Sequence, residues 1–263
     1  MSALPIQPGS SYEGLRFSFS DMEKEIENLR QLAKPFLDTN TYEWILLKWK
    51  KELSNFRLAN PGAHTTWEIS EENPIRTKIS DGEYEPKPKK GGLKVFGQLS
   101  CKWDIHLSGE VKKRGNPSPY FVLLGLASSK ITIWSDGESP SEIARWTIEV
   151  GDANSPGCHF HTQIDLDAGD HKFPKALCVP RFPSVLHTPM DALEFLLSEL
   201  FQDRWLEVSS AGHDAVKTWA NCQRSRLVNL LDWQRTKLKE SSGSPWTMLK
   251  KQKPSLDMLM ASE

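Results

Sequence analysis

From Leu93 to Ser108 the chain alternates between two kinds of side chain. Leu93, Val95, Gly97, Leu99, Cys101, Trp103, Ile105 and Leu107 interleave with Lys94, Phe96, Gln98, Ser100, Lys102, Asp104, His106 and Ser108. A period of two places the first set on one face of a strand and the second on the other. A helix would scatter the same apolar residues around its circumference. The run is longer than an ordinary strand, so a bend or bulge is expected at Gly97. Further runs follow. Tyr120 to Leu126 is nearly continuous apolar, and Lys130 to Trp134 is a second segment, with Ser128-Ser129 as a turn between the two. Ala144, Trp146, Ile148 and Val150 then alternate with Arg145, Thr147 and Glu149, and Phe160, Thr162, Ile164 and Leu166 alternate with His159, His161, Gln163 and Asp165. Their connections are too short for helical crossovers, which implies an antiparallel meander with one solvated face.

Helical patterns flank this region. Ser20-Asp21-Met22-Glu23 reads as a capping box opening a helix with Met22, Ile26, Leu29 and Ala33 on one side. A second helix, about 41–57, buries Ile45, Leu46, Trp49, Leu53 and Phe56. Thr188-Pro189-Met190-Asp191 opens a third, whose Leu193, Leu196, Leu197, Leu200, Phe201 and Trp205 face inward while Asp191, Glu194, Glu199 and Asp203 face water. The last runs from about Asp214 to Lys239 and is basic. The fold class expected is therefore α+β: an antiparallel sheet with N- and C-terminal helices packed on its apolar face. One domain is expected, made of an arm (1–18), a helical segment (19–60), the sheet region (61–187), C-terminal helices (188–240) and a loosely held tail (241–263).

Composition narrows the classes of function. The formal net charge of -1 on 263 residues provides no overall field to recruit nucleic acid or acidic lipid. No apolar run approaches the roughly 20 residues of a membrane-spanning helix, and the N-terminus lacks a signal-peptide pattern. Cys101, Cys158, Cys178 and Cys222 are widely spaced with no CxxC pair, which fits reduced thiols and a cytoplasmic protein. No GxGxxG, Walker, HExxH or GxSxG pattern occurs.

The one stretch that forces reactive side chains together is His159-Phe160-His161-Thr162-Gln163. His159, His161 and Gln163 share a face, with Asp165 next in line. Neutral imidazoles two apart on a strand suit a divalent metal, and His106, Asp104, Asp165 or His171 could complete the set; His106 is the leading third ligand. Cys158 points to the other face and cannot pair with His159. The same five residues resemble the His-x-His-x-Gln core of the nucleotidyltransferase branch of the histidine-triad superfamily. That resemblance implies His161 as nucleophile toward an α-phosphate, His159 as the residue orienting it, and Gln163 as a donor to a phosphoryl oxygen. A separate set of cations, Lys112, Lys113 and Arg114 in a loop and Arg224 and Arg226 on the last helix, could contact nucleic-acid phosphates if they meet on one surface. With no complete catalytic motif, the leading expectation is a soluble intracellular binding or interaction protein with a protein partner. A His-based enzyme, hydrolytic through a metal or transferring a nucleotidyl group, comes second, and nucleic-acid binding third.

Overall fold

The computed structural model describes residues 15–39, 42–80, 93–108, 111–113, 116–150, 160–165, 182–183 and 188–251. In order, the elements are β1 (Leu15–Ser18), α1 (Phe19–Ala33), α2 (Tyr42–Phe56), β2 (His64–Ile69), β3 (Ile75–Arg76), β4 (Val95–Leu107), β5 (Val111–Lys113), β6 (Asn116–Ser118), β7 (Tyr120–Ser135), β8 (Glu142–Val150), β9 (Phe160–Asp165), β10 (Phe182–Pro183), α3 (Pro189–Ser209), α4 (Asp214–Glu240) and α5 (Pro245–Lys251). The main sheet runs β10-β9-β8-β7-β4-β2, with β1 added to β7 and β3 to β4, and its pairings are antiparallel. This is the expected α+β arrangement: α3 lies on β4 and β7, α2 on β2, and α4 on α1.

Five local expectations change. The region around Ser128-Ser129 is no turn: β7 is one strand of 16 residues, and both serines pair with β4 and β8. Paired on both sides, this stretch gains more by continuing the ladder than by turning. The bulge falls between Trp103 and Ile105, where β7 carries extra residues, and the register is unbroken at Gly97. Gly97 serves packing instead. A Cβ there would stand 2.5 Å from Leu196 Cδ1, so the missing side chain lets α3 settle onto β4. Residues 15–18, read from sequence as part of the arm, form β1 against Tyr120 to Leu123, and Ser18 rather than Ser20 caps α1 by accepting a hydrogen bond from the Asp21 N–H. Residues beyond Ser241, read as a tail, include the short helix α5.

The core lies between the sheet and the helices. Trp49 of α2 stacks on Trp67 of β2 at 3.8 Å and 4°, and the Trp67 indole N–H donates to the Trp49 carbonyl at 2.9 Å. Burying either ring stabilises the fold by roughly 2–3 kcal/mol. Helix α3 breaks at Gln202, whose φ is +27°. The buried Ser80 hydroxyl donates to the Leu200 carbonyl beside this break at 2.7 Å, giving the carbonyl a partner inside the core.

The helices meet around a buried charge. Arg226 of α4 pairs with Glu25 of α1 and with Asp191 of α3. Asp191 also accepts from the Thr188 N–H while the Thr188 hydroxyl accepts from the Asp191 N–H, the capping box expected at the start of α3. Asp191 therefore faces inward, contrary to the helical-wheel expectation, and Glu194, one turn on, is half-buried. Burial pushes the Glu25 carboxyl up to about 7, outweighing the attraction of Arg226. Burial likewise raises Glu194 to about 7, with the nearby Gln223 amide pulling the other way.

Two outcomes are expected. Folded Glu25 and Glu194 hold protons at pH values where the unfolded chain, with carboxyls near 4.5, has released them. Their contribution to stability is complete below pH 4.5 and is lost as pH rises through about 7. Denaturant unfolding should show a loss of roughly 2–3 kcal/mol per carboxyl between pH 5 and pH 8, and Glu25→Gln should about halve that dependence. Gly97→Ala should lower the unfolding free energy by about 1–3 kcal/mol in the same assay, because Leu196 must leave its place.

Candidate functional site

Cross-strand partners share a face, so the register defines rows across the polar side of the sheet. Glu68, Lys102, Ser128, Glu149 and His161 form one row, and Ser100, Lys130, Thr147 and Gln163 form the next. His161 and Gln163 are thus neighbours on β9, with Glu149 of β8 opposite His161. The alternation within β9 made the first relation legible from sequence. The second depends on register, and Glu149 was missed for that reason.

The three side chains touch. His161 Nε2 lies 3.2 Å from Glu149 Oε2, the Gln163 amide nitrogen donates to the same oxygen at 3.1 Å, and it lies 3.2 Å from His161 Nε2. His161 is 1% exposed, whereas Glu149 and Gln163 beside it are half-buried. Nε2 can donate to Glu149 only when it carries the proton, and can accept from Gln163 only when the proton sits on Nδ1. Both arrangements use Nε2 within the sheet.

These contacts bear on the chemistry expected of the strand. A nucleophilic imidazole needs an open lone pair facing phosphorus, and here a carboxylate stands beside Nε2 and would repel a phosphate. Gln163 directs its N–H toward Glu149 and His161, leaving that hydrogen unaimed at any incoming oxyanion. His159 and His171 lie outside the described residues. His106 belongs elsewhere: it is paired with His64, their rings stacked at 5.6 Å. Counted from Lys102, the β4 residue in line with His161, His106 lies four residues along β4 and three strand spacings across. That separation is on the order of 20 Å, against about 2.0 Å for each metal–nitrogen bond. The structure therefore does not bring His106 and His161 together, and among the described residues no group of three or more His, Cys, Asp or Glu could hold a metal. Burial lowers the His106 pKa below the ordinary value, and His64 lowers it further.

Among the basic residues, Arg226 is withdrawn from the surface. Arg224 is exposed on α4 and donates to Asn221, whereas Arg226, two residues on, is the buried partner of Glu25 and Asp191 and presents no charge to a surface. Lys112 and Lys113 lie in the β5–β6 hairpin, and Arg114 lies outside the described residues. Cys101 and Cys222 are buried free thiols whose pKa values burial pushes up to about 12 and about 11, which keeps both protonated and unreactive.

A more open feature lies on the apolar side. Helix α3 covers β4 and β7 but leaves the outer part of the sheet uncovered. A cleft of about 270 Å³ opens there between Trp146, Ile131 and Ile133 of the sheet and Phe195, Leu196 and Leu200 of α3, with Val95 and Ala144 also lining it. Trp146 and Phe195 meet edge to face at 6.4 Å and 81°. Ile143 and Leu93 stand exposed at its mouth, and Ile164, the cross-strand neighbour of Trp146, is 41% exposed on the same face. Glu199 is the charged residue in this lining.

Replacing His161 by Ala removes a buried ring and leaves Glu149 and Gln163 short of a partner. Urea titration should show a loss of about 2–4 kcal/mol; a change below about 0.5 kcal/mol would mean that the ring is exposed. In comparisons with known proteins, no family model, no curated protein and no solved structure matches the chain.

Proposed function

We propose that the protein is a non-catalytic binding module that recognises another polypeptide. The observation that carries this reading is the apolar cleft beside α3, continuous with exposed Ile143, Leu93 and Ile164. An apolar patch left open at the margin of a well-packed core commonly marks an interaction surface. The cleft commits its occupant to a kind. Its walls are aliphatic and aromatic, so the inserted group is a large apolar side chain; Glu199 at the lining favours a Lys or Arg close to that side chain in the partner. The closed hydrogen bonding around His161 supports binding over catalysis, because a catalytic imidazole needs an unoccupied nitrogen facing substrate. Free thiols at Cys101 and Cys222 suit a reducing, cytoplasmic setting, and no described helix is long and apolar enough to cross a membrane.

A random peptide library selected on the full chain provides the test. Selected peptides should share an apolar residue near a basic one. Their affinity should fall about tenfold or more with Ile143→Lys or Ile164→Lys, and about two- to fivefold with Glu199→Lys, the range of an exposed ion pair. Thermal denaturation checks that each variant keeps the fold. Peptides that bind all three variants as tightly as the parent protein would sink this reading.

A further inference from the structure

We infer that the free edge of β2 is a second docking site, one that takes an extended segment of a partner polypeptide as an added strand. This inference is independent of the cleft, which lies toward the other end of the sheet.

Strand β2 is the terminal strand on its side of the sheet. The Leu107 N–H donates to the Ala63 carbonyl at 2.8 Å, which sets the parity of the β2–β4 ladder. In an antiparallel pair, hydrogen-bonded and non-hydrogen-bonded positions alternate. Thr65, Trp67 and Ile69 therefore exchange backbone bonds with Ile105, Trp103 and Cys101, and the N–H and C=O groups of His64, Thr66 and Glu68 point away from the sheet. Those groups make no backbone hydrogen bond among the described residues, and all three residues are exposed.

Three of the devices that normally protect an edge are absent from β2. His64–Ile69 contains no proline and no lysine, and its register with β4 runs without a bulge. Helix α2 lies alongside and turns the edge into a groove of about 610 Å³. Lys48, Glu52 and Asn55 form its wall, and Phe56 and Trp67 its apolar floor. Unpaired peptide groups at every second residue select for extended backbone, since no other chain conformation offers donors and acceptors at that spacing. The groove adds a side-chain preference. A residue of the incoming strand that points under α2 meets Lys48, Glu52 and Asn55, with Phe56 and Trp67 buried beneath them, so it is polar or charged, and its neighbours point toward His64, Thr66 and Glu68, so they are polar too. With a cleft near β8 and a groove at β2, the protein can hold two polypeptides apart on one rigid sheet.

Hydrogen exchange and peptide selection test the inference together. In the free full-length protein the Thr65, Trp67 and Ile69 amides should exchange slowly and the His64, Thr66 and Glu68 amides rapidly. An extended library peptide with polar side chains on both faces should slow the second set about tenfold or more. Thr66→Pro removes an outward N–H, a change an edge strand tolerates, and should weaken that peptide about tenfold, whereas Thr66→Ala should leave affinity within about twofold. Ile143→Lys should leave it unchanged, which separates this site from the cleft. Slow exchange at His64, Thr66 and Glu68 in the dilute free protein would overturn the inference, as would peptides that bind Thr66→Pro undiminished. A dimer in sedimentation whose formation slows those same amides would replace the partner segment with a second copy of this chain. The exchange measurement on the unsubstituted protein decides the matter even if Thr66→Pro fails to fold.

Discussion

The buried guanidinium of Arg226 is the contact on which the helical layer depends. It joins α4 to Glu25 of α1 and to Asp191 of α3, elements far apart in the chain. Asp191 works in two directions: one oxygen accepts the Thr188 N–H that closes the start of α3, and the other faces Arg226. The cation therefore helps fix where α3 begins. The position of α3 in turn puts Leu196 into the space that Gly97 leaves open on β4. Removing one member of such a cluster leaves a buried charge without a partner, which costs about 3–5 kcal/mol. Burial, with the charge of Asp191 beside it, keeps the Glu25 carboxyl protonated near neutral pH despite the cation.

The outline of this arrangement was legible in the sequence because periodicity reports which face of an element is apolar. Val95 to Leu107, the stripe of α2 and the Thr188 capping box were readable in that way. What periodicity does not report is what lies over a face. Asp191 and Arg226 look like solvent-facing positions on a helical wheel, yet they meet each other, and Arg226 meets Glu25, where three helices come together. His161 sits on the expected polar face of its strand, yet it is buried. Ser128 and Ser129 resemble a turn in composition, and only their pairing on both sides shows that they continue a strand. Each of these differences is a long-range pairing, which a local pattern cannot encode.

The same distinction governs the candidate sites. The imidazole and amide of β9 were visible as a chemical constellation, but their partner Glu149 came from a neighbouring strand and altered what they can do. The Glu149 carboxylate at the Nε2 of His161 makes the imidazole part of a hydrogen-bonded network between β8 and β9. The surfaces left open are ones that no motif marks: an apolar margin where α3 ends its coverage, and a row of peptide groups on β2. Backbone groups carry no side-chain signature, so the β2 edge became apparent only from the order of strands.

The length of β7 has a consequence for how the molecule assembles. It pairs with β4 along nearly its whole length, with β8 over its second half, and with β1 over its first residues. Leu15 of β1 meets Leu123, about a hundred residues later in the chain, so this contact closes a large loop and suits a late step in folding. Until it forms, the first part of β7 has a bare flank bearing Phe121, Val122 and Leu123, an apolar stretch able to pair with other chains. The four residues of β1 thus act as a seal whose timing separates productive folding from aggregation.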